Sequence, residues 1–210
     1  PRGKVLGGSS SINMMAYVRC NAGDFDRWRQ KGMSGWSYDD VLPYFKRAES
    51  FQDRKDDYHG DDGPWKIRTT DVEDPIFDAF FGAVDSAGYE KAEDYNGAVQ
   101  DGFARLQVNA VNGRRQSAAV AYLRPAMKRP NVEVQVRAHV TRVIFDGTRA
   151  TGIEYIQDGT THRVGAGKEV ILAGGAINSP QVLMVSGVGP ADHLKDMGIE
   201  VRHDLAGVGS

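Results

Sequence analysis

Between Gly3 and Asn13 the chain sets three glycines and three serines among aliphatic residues, in the order Gly3-Lys4-Val5-Leu6-Gly7-Gly8-Ser9-Ser10-Ser11-Ile12-Asn13. A loop this poor in side chains lets its backbone come close to a large ligand. Its successive N–H groups can also form an anion-binding concavity. A second glycine turn lies far along the chain. The apolar run Lys168-Glu169-Val170-Ile171-Leu172-Ala173 leads into Gly174-Gly175, with Ser179-Pro180 just beyond. Read locally, that is a strand buried on both faces, a glycine turn and a helix begun by a serine cap and a first-turn proline, the geometry of an α/β layer. Gly174 and Gly175 would let the backbone pass close to a ligand, or would simply make a tight turn.

The order of these residues is more specific than their composition. Gly3 to Asn13 resembles the flavin signature of the glucose–methanol–choline (GMC) oxidoreductases, FAD enzymes that oxidise alcohols. Ala173 to Pro190 resembles the family's second signature, A-G-[AG]-x-x-S-P-x-x-L-x-x-S-G-[IV]-G-P. Between them, Tyr95-Asn96-Gly97, Asn112-Gly113-Arg114-Arg115 and Ala121-Tyr122-Leu123-Arg124-Pro125 are similar to the choline-dehydrogenase-like branch. The resemblance covers essentially the whole chain.

The resemblance implies an α/β fold: a partial FAD-binding, Rossmann-like domain with an inserted, sheet-containing substrate domain. Residues 1–50 and 117–210 would belong to the FAD domain and 51–116 to the substrate domain. The cofactor-binding residues carried over are Val5, Gly7, Gly8, Ser9, Asn13, Met14, Met15 and Ala16 along the flavin. Val140, whose backbone would meet the adenine, and Gly174 and Gly175 complete the set. Asn13 offers both a donor and an acceptor, which suits a ring edged with carbonyls and nitrogens. Some choline-oxidising relatives attach flavin through a histidine just before the signature asparagine. Ile12 stands there, so non-covalent FAD is expected.

The implied reaction is oxidation of a primary alcohol, choline-like or other, to the aldehyde by hydride transfer to flavin N5. A histidine would take the hydroxyl proton, and reduced flavin would pass its electrons to oxygen or a quinone-type acceptor. None of His59, His139, His162, His193 and His203 matches the family's catalytic positions, so each is expected to be a surface or locally satisfied residue. No G-x-G-x-x-G motif is present either, which argues against a nicotinamide Rossmann enzyme. The expectation is therefore an internal piece of an FAD enzyme, inactive alone, unable to retain FAD through gel filtration, and carrying unpaired sheet edges and apolar faces. The alternative is a short non-catalytic protein that keeps the scaffold as a binding or interaction module.

Composition sets wider bounds. With 210 residues, 40% of them hydrophobic, the chain can build a sizeable core. A net charge of −2 gives no general electrostatic case for nucleic acid or anionic membrane. Cys20 is the single cysteine, expected half-buried near the loop, and cannot make an internal disulfide. No His/Cys/Asp group has metal-ligand spacing, and no apolar run is long enough to span a bilayer. A cytoplasmic location is the expectation.

The elements that must position these residues follow from local signals. Asp24 could cap a helix carrying Phe25 and Trp28. Ser37 and Asp40 form a capping box for a helix that Pro43 should kink or break. Residues 53–63 read as a charged connecting loop and Pro64 to Arg68 as a strand. Asp74-Pro75 begins a helix whose Ile76, Phe77, Phe80, Phe81 and Val84 stripe reads as core. Phe103 to Val111 alternates like a half-buried strand, Asn112-Gly113 marks a turn, and Ser117 can cap a helix through Leu123. Beyond Asn131, Val132, Val134 and Val136 alternate. Strands around Val140–Phe145 and Ile153–Ile156 are expected, with turns at Asp146-Gly147 and Asp158-Gly159, and a last helix from Pro190 to Met197.

Overall fold

Asn21 and Ser37 start the first two helices, each by bonding back to the amides its helix leaves free. In the computed structural model, which describes residues 2–210, helix α1 spans Ala22–Gln30 and α2 spans Tyr38–Ala48. Asn21, in extended conformation, is the cap of α1, and Asp24 is its reciprocal partner three residues on rather than the cap itself. Ser37 and Asp40 form the expected box at α2. That helix runs through Pro43 instead of breaking. The bond lost is the one to the carbonyl of Asp39, an exposed residue that water can serve. Phe25 of α1 packs edge-on against Phe45 of α2, with ring centroids 5.8 Å apart.

The chain forms two compact units, one ending at Glu133 and one spanning Val134–Ser210. In the first, β1 (Glu49–Phe51) pairs in parallel with β2 (Trp65–Thr69), and β2 pairs antiparallel with β3 (Gln107–Val108). A hairpin joins β4 (Ala110–Val111) to β5 (Arg114–Arg115). Its turn residues Asn112 and Gly113 have φ of 50° and 68°, the doubly positive pattern for which Asn-Gly is selected. The expected strand over 103–111 is thus two short pieces. Gln107, Val108 and Asn109 are all buried, because the polar side chains of Gln107 and Asn109 find partners inside.

Helix α3 (Pro75–Ser86) has the predicted Asp74 cap and first-turn proline. Its aromatic stripe is not core within this unit: Ile76 is 69% and Phe80 49% exposed, and only Val84 is buried. Ser117 precedes a π-turn, Ala119–Leu123, that continues into the short α4 (Arg124–Ala126).

The second unit is built on a meander of β6 (His139–Asp146), β7 (Arg149–Gln157) and β8 (Thr160–Gly165). Asp158 and Gly159, with φ of 49° and 79°, make the turn between the last two. Helix α5 spans Gly175–Val185, β9 Val188–Gly189, α6 Ala191–Asp196 and β10 His203–Asp204. Two expectations are corrected here. Val132 to Val136 forms no strand, and Lys168 to Ala173 joins no ladder, with Ile171 78% exposed. Helix α5 also begins at Gly175, so Pro180 lies inside it. Ser179 acts backwards, its Oγ accepting from Gly174 N–H at 2.9 Å.

Strand β6 is an outer strand, and its open edge is closed by Ser186. The Ser186 Oγ accepts from Val143 N–H at 2.8 Å and donates to Val182 O at 2.5 Å. Ser186→Ala should strand a buried donor and destabilise this unit by about 1–3 kcal/mol. Hydrogen exchange should show the Val143 amide losing protection ahead of its neighbours in β6.

Candidate functional site

The glycine-rich loop is folded back on itself. After Gly7, with φ 90°, a single 3-10 turn runs from Gly8 to Ser11. Gly8 N–H donates to Val5 O at 2.9 Å, and a Cβ at Gly3 would stand 2.2 Å from Gly8 O. Glycine at 3 is therefore required by the close return of the chain, and glycine at 7 by both its backbone angle and the nearby Ser11 Oγ. Ser10 Oγ donates to Gly7 O and Ser11 Oγ to Leu6 O, which spends the hydroxyl donors on the loop's own carbonyls. Ser9 Oγ accepts from Gly3 N–H at 3.3 Å. The aliphatic side chains that would otherwise fill a core face outward: Val5 is 56%, Ile12 50% and Met14 74% exposed.

The loop continues into Met15, at φ 67°, and Ala16, which bridges to Val108. Asn13 Oδ1 accepts from Met15 N–H at 3.1 Å and from Arg115 Nη1 at 2.7 Å. Ser10 Oγ accepts from Ala118 N–H at 2.9 Å. Of the predicted cofactor residues here, Val5, Ser9, Asn13 and Met14 are exposed, and Gly7, Gly8, Met15 and Ala16 are half-buried. Cys20, four residues on, is exposed with φ 68°, not half-buried as its type suggests.

In the second unit, Val140 and Gly174 line one groove of about 580 Å³, with Ile171, Leu172, Asn178 and Val182. A Cβ at Gly174 would meet Asn178 Cβ at 3.0 Å. Gly175, at φ 86°, turns the chain into α5 beside this groove without lining it.

Behind the glycine loop lies a buried polar cluster that sequence reasoning did not find. Arg19, Glu49, His59, Asn96 and Gln107 are each at most 2% exposed. Arg19 pairs with Glu49 and donates to Tyr58 O at 2.6 Å. His59 Nδ1 lies 2.8 Å from Glu49 Oε1 and its Nε2 lies 2.7 Å from Asp94 Oδ2. Burial opposes charge on His59, but the hydrogen bonds to Asp94 and Glu49 prevail and raise its pKa to about 8. Burial likewise works against the Asp94 carboxylate, yet bonds from His59, Gln107 and Asn96 N–H hold it down at about 2. Burial drives the Tyr17 phenol far above its ordinary value.

The Tyr95-Asn96-Gly97 motif belongs to this cluster. Asn96 Oδ1 accepts from Arg19 N–H, its Nδ2 donates to Tyr17 O and Gln107 Oε1, and Tyr95 hydroxyl donates to Tyr17 O. Its chemistry is to clamp the chain that leaves the glycine loop. The sequence offers no metal-ligand spacing, but the structure gathers Asp56, His59 and Asp94 with ligand atoms within 4.8 Å of one another. Two of these groups already bond within the protein: Asp56 Oδ1 accepts from two backbone amides, and His59 Nε2 lies 2.7 Å from Asp94 Oδ2. His139, His162, His193 and His203 are exposed.

The GMC oxidoreductase family model matches residues 1–209. The chain is 51% identical over 209 residues to an oxygen-dependent choline dehydrogenase of Sinorhizobium fredii, a match covering 100% of this chain and 38% of that protein. Among solved structures it is similar to pyridoxine 4-oxidase from Mesorbium loti, with TM-score 0.90, 32% identity, and 98% of this chain on 41% of that one. It is also similar to an FAD-dependent oxidoreductase from Chaetomium thermophilum, with TM-score 0.89, 29% identity, and 98% of this chain on 38% of that one. The chain therefore spans about two fifths of the length of the proteins it matches.

Proposed function

The chain belongs to the GMC oxidoreductase family, and from that premise we propose that it is the part of an FAD-dependent oxidoreductase that cradles the flavin while a primary alcohol, choline-like in kind, is oxidised to its aldehyde. The observation that carries this reading is the bare loop of residues 3–16. Its backbone returns on itself so closely that glycine is needed, two of its three serine hydroxyls donate to its own carbonyls, and its apolar side chains stand exposed where a large flat ligand would cover them. Such a surface fits an aromatic ring system with polar edges.

FAD, when bound, supplies the hydride acceptor. What the chain's residues do is hold and orient. Val5, Gly7, Gly8, Ser9 and Asn13 through Ala16 present backbone and the Asn13 amide to the ring. Val140, Gly174 and Gly175 border the groove assigned to the far end of the cofactor. Residues 1–50 and 117–210 are assigned to the FAD domain and 51–116 to the substrate domain. The compact units divide elsewhere, between Glu133 and Val134, a geometric division independent of which domain each piece serves. Ile12 offers no ring nitrogen for a covalent flavin link. Oxygen is the acceptor suggested by the names of the choline dehydrogenase relatives, and a quinone-type acceptor is the other choice. No helix among the described residues is long and apolar enough to cross a membrane.

The test is anaerobic mixing of the longer, FAD-loaded polypeptide with choline and with other primary alcohols. Loss of visible flavin absorption is expected with at least one, and an unchanged spectrum with all of them refutes the reading. Gly7→Ala should abolish FAD retention. Its methyl would lie 2.5 Å from Ser11 Oγ at a φ that costs about 1–3 kcal/mol for a non-glycine residue.

A further inference from the structure

Arg115 reaches the glycine loop from more than one hundred residues away. Its Nη1 donates to Asn13 Oδ1 at 2.7 Å and to Ser10 O at 3.2 Å. It does so from a rigid base, the β4–β5 hairpin with its Asn112-Gly113 turn. The hairpin's flanks grip the same loop. Asn109 N–H donates to Met15 O, Gln116 N–H to Asn109 O, and Ala118 N–H to Ser10 Oγ. Trp65 Nε1 fixes Gln116 in turn through its carbonyl, at 2.7 Å.

The consequence lies in Asn13. Its two side-chain ends are nearly alike in shape, and hydrogen bonding decides which way the amide points. Here both groups on one side, the Met15 N–H and the Arg115 guanidinium, can only donate. The carbonyl oxygen must face them, so the Nδ2 group must face away. Among the described residues Nδ2 has no hydrogen-bond partner, and Asn13 is exposed.

We propose that Arg115 is a positioning residue for the cofactor loop, locking Asn13 so that its side-chain N–H groups are presented as donors to an acceptor edge of the flavin. This rests on the reading of residues 3–16 as the flavin cradle. Arg115 itself touches no cofactor. It sets which end of Asn13 the cofactor meets, and it does so with a charge-assisted bond that polarises the amide toward donation.

The experiment is a double-mutant cycle in the longer FAD-binding polypeptide, with Arg115→Met, Asn13→Ala and the pair. FAD affinity, the position of the flavin absorption bands and the melting temperature of the apoprotein are read for each. Arg115→Met should weaken FAD binding about tenfold or more and shift the bands in the same direction as Asn13→Ala. The double variant should be no worse than Asn13→Ala alone. Arg115→Lys, which keeps the charge, should recover part of the loss, and it replaces the methionine variant if that one fails to fold. Additive losses in the double variant, or a lower apoprotein melting temperature with FAD affinity and bands unchanged, would make Arg115 a mere brace and overturn the proposal. If Asn13→Ala weakens FAD while Arg115→Met does not, only the assignment of Arg115 falls. If Asn13→Ala leaves affinity and bands untouched, the flavin reading of the loop falls first.

Discussion

Arg19→Met is expected to destabilise the protein by about 3–5 kcal/mol, the cost of removing one partner from a buried ion pair. The four buried charges of the first unit balance when His59 is protonated: Arg19 and His59 against Glu49 and Asp94. Taking away the guanidinium leaves Glu49, at 0% exposure, with His59 as its only cationic neighbour in the cluster. Its Oε2 already has no hydrogen-bond partner, so Coulomb attraction is what keeps that oxygen charged inside the protein. Arg19 also supplies bonds to Tyr58 O at 2.6 Å and, from Nε, to Tyr17 hydroxyl at 3.4 Å. Methionine fills much of the volume and replaces none of them. Urea titration should show a lower midpoint with an unchanged slope. A loss below about 1 kcal/mol would mean that water reaches Glu49 once the guanidinium is gone, and that the pair is worth no more than a surface one. Because the cluster clamps residues 17–19 just after the glycine loop, the same variant should loosen that loop's exit.

What the sequence made legible was what is local or what lies in residue order. Ser37 with Asp40, Asp74 with Pro75, and Asn112-Gly113 each carry their partner within a few positions, and each appears where expected. Even the miss at Asn21 is local: the true cap lies three residues before Asp24, and the reciprocal box uses both. The glycine loop was readable because its order is so specific. The contacts that fix it were not. Arg115 lies 102 positions from Asn13, and His59, placed in a charged connector, meets Asp94 35 positions away. Nothing in local pattern announces such pairings. A different failure affects Lys168 to Ala173 and the aromatic face of α3. Their apolar patterns describe surfaces to be covered, yet Ile171, Ile76 and Phe80 stand exposed because no neighbouring element among the described residues covers them. Periodicity reports an appetite for burial, while a strand or a core also needs a partner.

Stability should peak between about pH 4.5 and pH 6.5 and decline on both sides, and His59 sets the alkaline limb. The charged groups facing its ring are Glu49 at the end of α2 and start of β1, Asp94 in the loop before β3, Arg19 beyond the glycine loop, and Asp56, whose carboxylate lies within 4.8 Å and accepts from the His59 backbone N–H. The Phe51 ring stacks on it at 4.1 Å and excludes water from one face. The imidazole pKa rises from the usual 6.5 to about 8 on folding. A raised pKa contributes stability that is fully present below 6.5 and is lost as pH climbs through 8, about 2 kcal/mol in all. Asp94 works in the opposite sense. Its folded value of about 2, against an ordinary 3.8, contributes above 3.8 and is lost as pH falls through 2. Glu49, also held below its ordinary value, by His59 and Arg19 against the penalty of burial, steepens that acid limb. Protonated His59 donates from both nitrogens, so losing the proton breaks one of its two carboxylate bonds and leaves the cluster with net negative charge. His59→Gln keeps an amide donor but cannot titrate. It should be less stable than the parent at pH 6 and should show no decline between about pH 6.5 and pH 8. Urea midpoints measured across that range decide the point: an alkaline decline that survives in His59→Gln must arise from another group.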